Sequence, residues 1–165
     1  ACLVGSEMCK ETDLAQAEAY DEILKEINKD LGYVIVLDID KEIVSEKILQ
    51  RLILEDIPSF LEELGTGYSF IKNEYKIKIG NIYNYIDLLL FNIKYNCYVV
   101  VELKVTELKK EHIGQIEVYM NYIDKNLKKQ MQDKTIGIIL CRKDNKFIME
   151  YCSDERIKVR EYSLA

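Results

Sequence analysis

The clearest periodic signal in the chain is the strict alternation Tyr75-Lys76-Ile77-Lys78-Ile79, which predicts a β-strand with one wet face. Gly80 and Asn81 follow as a hairpin turn, and the run Ile82 to Ile93 predicts a second strand, apolar on both faces except at Asp87. A third run, Tyr98 to Val105, is equally apolar except for Glu102 and Lys104. The pattern therefore predicts buried central strands that carry charges. Helical spacing flanks this block. Ile43, Ile48, Leu52, Leu54, Ile57, Phe60, Leu61 and Leu64 predict a helix from about Lys41 to Leu64, bent or divided by Pro58 and stopped by Gly65 and Gly67. Downstream, Ile113, Ile116, Tyr119, Met120 and Ile123 line one side of a helix predicted over 108–127. A strand at Thr135 to Cys141 follows, then a tail, Phe147 to Leu164, of short helix and final strand.

Upstream, Thr12 or Asp13 caps a predicted helix to about Asn28, with Leu14, Tyr20, Ile23, Leu24 and Ile27 as its apolar stripe. An apolar run at Tyr33 to Leu37 precedes Asp38 to Asp40, which are placed to cap the helix at Lys41. The order helix, three strands, helix, strand predicts an α/β fold: a hairpin meander, then a crossover to a buried strand, in a mixed central sheet flanked by helices. Residues 1–40 are expected to form a helical or extended appendage and residues 41–165 the main domain. The stripe on 12–28 is a candidate homodimer contact.

Composition narrows the classes. A chain of 165 residues, 48% hydrophobic and 32% charged, is expected to pack one core and not to be disordered. Its longest apolar stretches, such as Ile136 to Cys141, fall far short of the roughly 20 residues that cross a bilayer, so no membrane partner is expected. Residues 1–9 lack the basic start and long apolar run of a signal peptide. Five cysteines with no CxxC pair and a single histidine, His112, exclude a zinc site or disulfide framework and fit a reducing cytoplasm. A net charge of −6 argues against a broadly basic nucleic-acid binder. Lys109, Lys110, Lys125, Lys128, Lys129 and Lys134 alternate with acids and read as a solvated face. His112 reads as a surface histidine, Cys97, Cys141 and Cys152 as small core residues, and most tyrosines as strand packing.

Asp87 and Glu102 change the picture, because a carboxylate inside a buried strand costs several kcal/mol unless it is paired or holds a cation. A short turn at Lys94 to Asn96 permits their strands to be adjacent, so that both carboxylates meet at one end of the sheet. Lys104, two residues after Glu102, projects from the same face. Two carboxylates and the main-chain carbonyl of Leu103 are hard oxygen ligands of the kind Mg²⁺ or Mn²⁺ takes, with waters and a phosphate completing the shell. Such a cation with an adjacent lysine is the hardware of phosphodiester hydrolysis.

Asp, about fifteen residues, then Glu-x-Lys resembles the core of the PD-(D/E)XK nucleases. The likeness is closer to the bacterial YhcG-like subfamily, over FLEELGTGYSFI (60–71), YIDLLLFN (85–92), YVVVELK (98–104), IGQIEVYMNYID (113–124), IGIILCRKDN (136–145) and VREYSL (159–164). The resemblance implies a restriction-endonuclease-like αβββαβ core and a Mg²⁺- or Mn²⁺-dependent endonuclease acting on nucleic acid, DNA by analogy. It assigns Asp87, Glu102 and Lys104 to catalysis and places Gln115 beside the scissile phosphate, with Tyr119 one turn along. It also makes Glu63 an additional metal ligand on the first helix, with Glu55 a weaker candidate. The chain departs from the subfamily at Asn73-Glu74, where an Arg-Gln pair is expected. That departure and the acidic charge motivate a rival expectation, a catalytically silent domain acting in nucleic-acid binding or assembly.

Overall fold

The computed structural model describes residues 35–37 and 45–164, all within residues 31–165, the second of two units into which the chain divides. The helix predicted at 12–28 with its dimer stripe, and the caps at Asp38 to Asp40, lie outside the described residues.

Six strands form one sheet: β1 (Ile35–Leu37), β2 (Tyr68–Ile79), β3 (Ile82–Asn92), β4 (Cys97–Leu103), β5 (Ile136–Cys141) and β6 (Ile157–Leu164). Their spatial order is β1-β6-β5-β4-β3-β2. β2, β3 and β4 are an antiparallel meander, whereas β4, β5, β6 and β1 run parallel. Four helices accompany them among the described residues: α1 (Glu46–Glu55), α2 (Ile57–Leu64), α3 (Lys110–Asn126) and α4 (Lys146–Glu150). This is the expected mixed sheet with its αβββαβ order.

The helix expected from about Lys41 to Leu64, bent or divided by Pro58, is divided in two. Ser45 caps α1, its hydroxyl accepting from the Ile48 amide at 3.3 Å. The division falls at Asp56 and not at Pro58 itself. Asp56 caps α2 by accepting from Ser59 N at 3.2 Å, which leaves Pro58 in the first turn, where no amide proton is needed. Leu49 and Ile53 are the buried face of α1, while Leu52 and Leu54, expected inside, are only half-buried.

β5 is buried at every position, as a parallel strand covered on both faces must be. One face of the sheet, including Leu89, Val100, Ile139, Cys141, Ile157 and Val159, packs on Ile116, Tyr119, Met120 and Ile123 of α3. The alternate residues Leu88, Val101, Leu103, Ile138 and Leu140 are equally buried, pointing to the other face, where α1 and α2 contribute Leu49, Ile53, Phe60 and Leu64. The far end of α3 is stapled to the starts of β5 and β6 by Asp124. Its Oδ1 accepts from Thr135 N at 2.9 Å and Oγ1 at 2.7 Å, and its Oδ2 meets Arg156 at 2.9 Å.

β3 does not follow the expectation of burial along its whole length. β2 and β3 have 12 and 11 residues but β4 only 7, and β4 pairs with β3 only from Leu88 to Asn92. The first half of β3 therefore leaves the sheet with β2 as a two-stranded arm. Ile82, Tyr83 and Tyr85 are exposed there, and burial begins only at Ile86. The arm ends in a two-residue turn whose first residue, Gly80, has φ +61°, as a tight hairpin with glycine first requires.

Gly137 of β5 sets how closely α3 approaches, because a Cβ there would collide with the Met120 sulfur and stand 2.9 Å from Ile116 Cδ1. Gly137→Ala is expected to cost about 1–3 kcal/mol of stability through forced repacking, read as a lowered urea midpoint at unchanged m-value.

Candidate active site

The fork between β3 and β4 holds the site. Past the Leu88–Val101 pair the ladder between the two strands stops, yet β4 continues to Leu103 beside β5, with Glu102 opposite Ile139 and Leu103 opposite Leu140. Two carboxylates take over where backbone acceptors are missing. Asp87 N donates to Glu102 Oε1 at 3.2 Å, and Leu103 N donates to Asp87 Oδ2 at 2.8 Å. Each acid thus ties its own strand to the other, and each buried amide has a partner. Lys104 N donates to Leu140 O at 2.8 Å, so the Glu102–Lys104 segment is held from both sides.

α1 fixes the remaining side. Gln50, a buried side chain, donates from Nε2 to the Asp87 carbonyl at 2.9 Å. One turn earlier lies Glu46, whose charge helps raise the Asp87 pKa. Neither residue is in the motif, and their only sequence signal is an acid and an amide four apart on a helix ahead of the meander.

The electrostatics follow from burial. Glu102 is 3% exposed, and desolvation, then the Asp87 charge, hold its carboxyl well above the usual range. Burial also raises Asp87, against the lowering influence of the Leu103 amide and the Lys104 charge. Each acid's burial and the other's charge thus oppose ionisation of both carboxyls at once. Lys104 does not neutralise them by direct contact: its Nζ donates to Gln115 Oε1 at 3.0 Å. Gln115 Nε2 in turn donates to the Tyr119 hydroxyl at 3.2 Å. That hydroxyl is pushed up by burial and by the charges of Glu102 and Asp87.

Asp87, Glu102, Leu103, Lys104, Gln115 and Tyr119 are therefore gathered at one point. Glu63 is not gathered with them; it is exposed on α2, and Glu55 is exposed at the end of α1. Among the described residues no three or more His, Cys, Asp or Glu side chains converge on a common metal position. The donor set is two carboxylates with the Leu103 carbonyl beside them. Its chemistry fits a hard divalent cation, since both acids are desolvated, repel one another and lack a contacting cation.

His112 is half-buried, its Nδ1 accepting from Lys109 N at 3.1 Å at the start of α3. Burial, with the charges of Lys104 and Lys109, lowers its pKa. Cys97 and Cys141 are buried thiols pushed up to about 12, inert as nucleophiles. Directly across from Asp87, between the Asn73–Leu88 and Tyr75–Ile86 pairs, Glu74 has φ +47°, a left-handed backbone that is strained for a residue other than glycine.

A restriction-endonuclease-like sheet with Asp, Glu and Lys at a strand fork defines a domain of the PD-(D/E)XK nuclease class. The chain belongs to the family described as "YhcG PDDEXK nuclease domain", whose profile matches residues 25–165. It is 27% identical over 101 residues to "Putative nuclease YhcG" of Escherichia coli (strain K12), a match covering 61% of this chain and 27% of that protein. The chain thus spans about a quarter of that relative's length. Among solved structures it is similar to EndoMS in apo form (TM-score 0.52, 19% identity, 73% of this chain and 47% of that one). It is also similar to EndoMS in the structure described as "EndoMS-dsDNA2 complex" (TM-score 0.51, 19% identity, 74% and 47%). These likenesses show the fold.

The raised carboxylates give a pH dependence with a definite sign. A folded-state pKa above the unfolded one contributes stability at acid pH that is lost as pH rises through the folded value. In a chelating buffer the wild-type melting temperature is expected to fall between mildly acid and neutral pH. Glu102→Gln removes the ionisation and flattens that slope, with a neutral-pH gain of roughly 3 °C or more, measured by calorimetry.

Proposed function

We propose that this domain is a divalent-metal-dependent nuclease that cleaves phosphodiester bonds in DNA. The observation that carries the reading is the pair of desolvated carboxylates at the β3–β4 fork, locked by reciprocal hydrogen bonds and without a contacting cation. Asp87, Glu102 and the Leu103 carbonyl would hold the ion. Bound there, Mg²⁺ or Mn²⁺ would supply a water of lowered pKa and a counter-charge for the phosphorane.

The chain's own residues do the rest. Asp87 and Glu102, both raised by burial, must be ionised to act as ligands, which ties activity to pH. Gln50 keeps the Asp87 main chain in register. The Lys104 ammonium orients the attacking water and faces the charge that develops on the phosphoryl oxygens. Gln115, bridging Lys104 and Tyr119, positions the phosphate through its amide. DNA as substrate is supported by the structural neighbour captured with double-stranded DNA.

One observation favours a second reading. The absence of a third converging ligand among the described residues, with Glu74 where the subfamily carries a polar pair, would suit a silent nuclease-fold domain that binds nucleic acid. Incubation with plasmid and single-stranded DNA in Mg²⁺ or Mn²⁺ separates the two. Cleavage is expected to fall about a hundredfold or more in Asp87→Asn and in Lys104→Ala. Equal cleavage by these variants overturns the assignment, and DNA binding without cleavage or Mn²⁺ uptake establishes the silent domain.

Activity is expected to rise from acid to neutral pH on a limb displaced above the ordinary carboxylate range, because both acids are raised. Rates of plasmid nicking across buffers at a fixed, subsaturating Mn²⁺ concentration measure the limb, since protons and metal compete for the same carboxylates. A rate independent of pH through that range would contradict ligand deprotonation.

A further inference from the structure

The β2–β3 arm presents an exposed surface that the reaction at Asp87 does not use. Along β3, Tyr83 and Tyr85 lie on the same face as Asp87, by strand alternation, and both are about half exposed, at 52% and 51%. The register places Lys78 opposite Tyr83 and Lys76 opposite Tyr85 on that same face. Lys76 Nζ stands 4.0 Å from the Tyr83 ring centroid and Lys78 Nζ 5.6 Å, so the cations and the ring hold one another upright. Between Tyr75 and Ile86 the arm contains these two lysines and no acid, in a chain whose net charge is −6. At about 3.3 Å per residue, Tyr85 and Tyr83 stand roughly 7 and 13 Å along the strand from Asp87.

We infer that this face of the arm is a platform for an unpaired nucleic-acid strand, which tracks from the Asp87–Glu102 site along Tyr85 and Tyr83 with its phosphates on Lys76 and Lys78. The inference rests on the nuclease reading and extends it to a substrate class. Two chemistries decide for an unpaired strand over a duplex. Lysines alone would serve either, because phosphates line both. Exposed aromatic faces beside them serve bases whose own faces are free, and stacking of that kind tolerates any sequence. Among the described residues β3 pairs only with β2 at these positions, and both rings stay about half exposed. The arm's cationic face also answers the objection raised by the acidic composition: the charge a phosphate chain needs is concentrated on one projection leading to the site.

The test is fluorescence anisotropy of the whole chain with a labelled thymidine 20-mer and with a blunt duplex of equal length, in a chelating buffer that prevents cleavage. Tyr83→Ala with Tyr85→Ala is expected to weaken single-strand binding about tenfold or more, to spare duplex binding, and to be rescued by the paired Phe substitutions, which keep the rings. Lys76→Ala with Lys78→Ala is expected to weaken single-strand binding and to reduce its salt slope by roughly 1 to 1.5. Melting temperatures of the three double variants are expected to match the wild type, because all four side chains are exposed. Single-strand affinity unchanged by the tyrosine pair, or duplex bound as tightly as single strand, overturns the inference. A small phosphodiester without bases, bis(p-nitrophenyl) phosphate with Mn²⁺, separates this from the nuclease reading. Turnover with unaltered single-strand affinity in the tyrosine variant sinks the arm alone. Ring-dependent strand binding without any turnover sinks the catalytic assignment and leaves the arm.

Discussion

A β-ladder cannot continue once its two strands diverge, and amides left beyond the last pair must find acceptors or lose hydrogen bonds on burial. Between β3 and β4 the acceptors beyond that point are carboxylates. Asp87 takes the Leu103 amide, Glu102 takes the Asp87 amide, and the fork is closed by the two acids to which the proposed reaction is assigned. The bonds that fix the acids leave each with a second oxygen for other partners, and they fix them on strands that β5 and α1 hold from either side.

The same fork separates the two functional halves of the meander. On the sheet side, α3 comes close to β5 over Gly137 and carries Gln115 to Lys104, with Tyr119 bonded to Gln115 one turn on. On the other side, β2 and β3 outrun β4 and project as the arm. A shorter hairpin would lack the lysine and tyrosine face, and a longer β4 would pair with the free edge of β3 beside it. The strand lengths therefore set both where the acids sit and what surface leads to them.

The acids carry an energetic consequence. Held near each other at low exposure, they resist ionising together, so the fold works against the ionisation that the proposed metal binding would require. Functional sites commonly concentrate such conflict, and the left-handed backbone of Glu74 across from Asp87 is a second instance at the same place. The Asp124–Arg156 staple and the Asn92 side chain, which accepts from Tyr95 N and donates to Thr66 O, hold distant parts of the domain without strain.

The sequence by itself determined the strands, the crossover helix and the three charged positions. Period-two alternation, period-3.6 spacing and a carboxylate inside an apolar run each follow from local chemistry that a linear pattern records. Gln115 and Tyr119 were legible only through family resemblance, since nothing in their spacing says which strand residue they face. Glu46 and Gln50 were not legible, because their relation to Asp87 is created by how α1 lies against the sheet. Glu63, assigned through the family resemblance, is exposed on α2, which Asp56 caps. The exposure of Ile82, Tyr83 and Tyr85 was equally hidden. An apolar strand reads the same whether or not a third strand covers it, and only the tertiary structure decides where β4 stops.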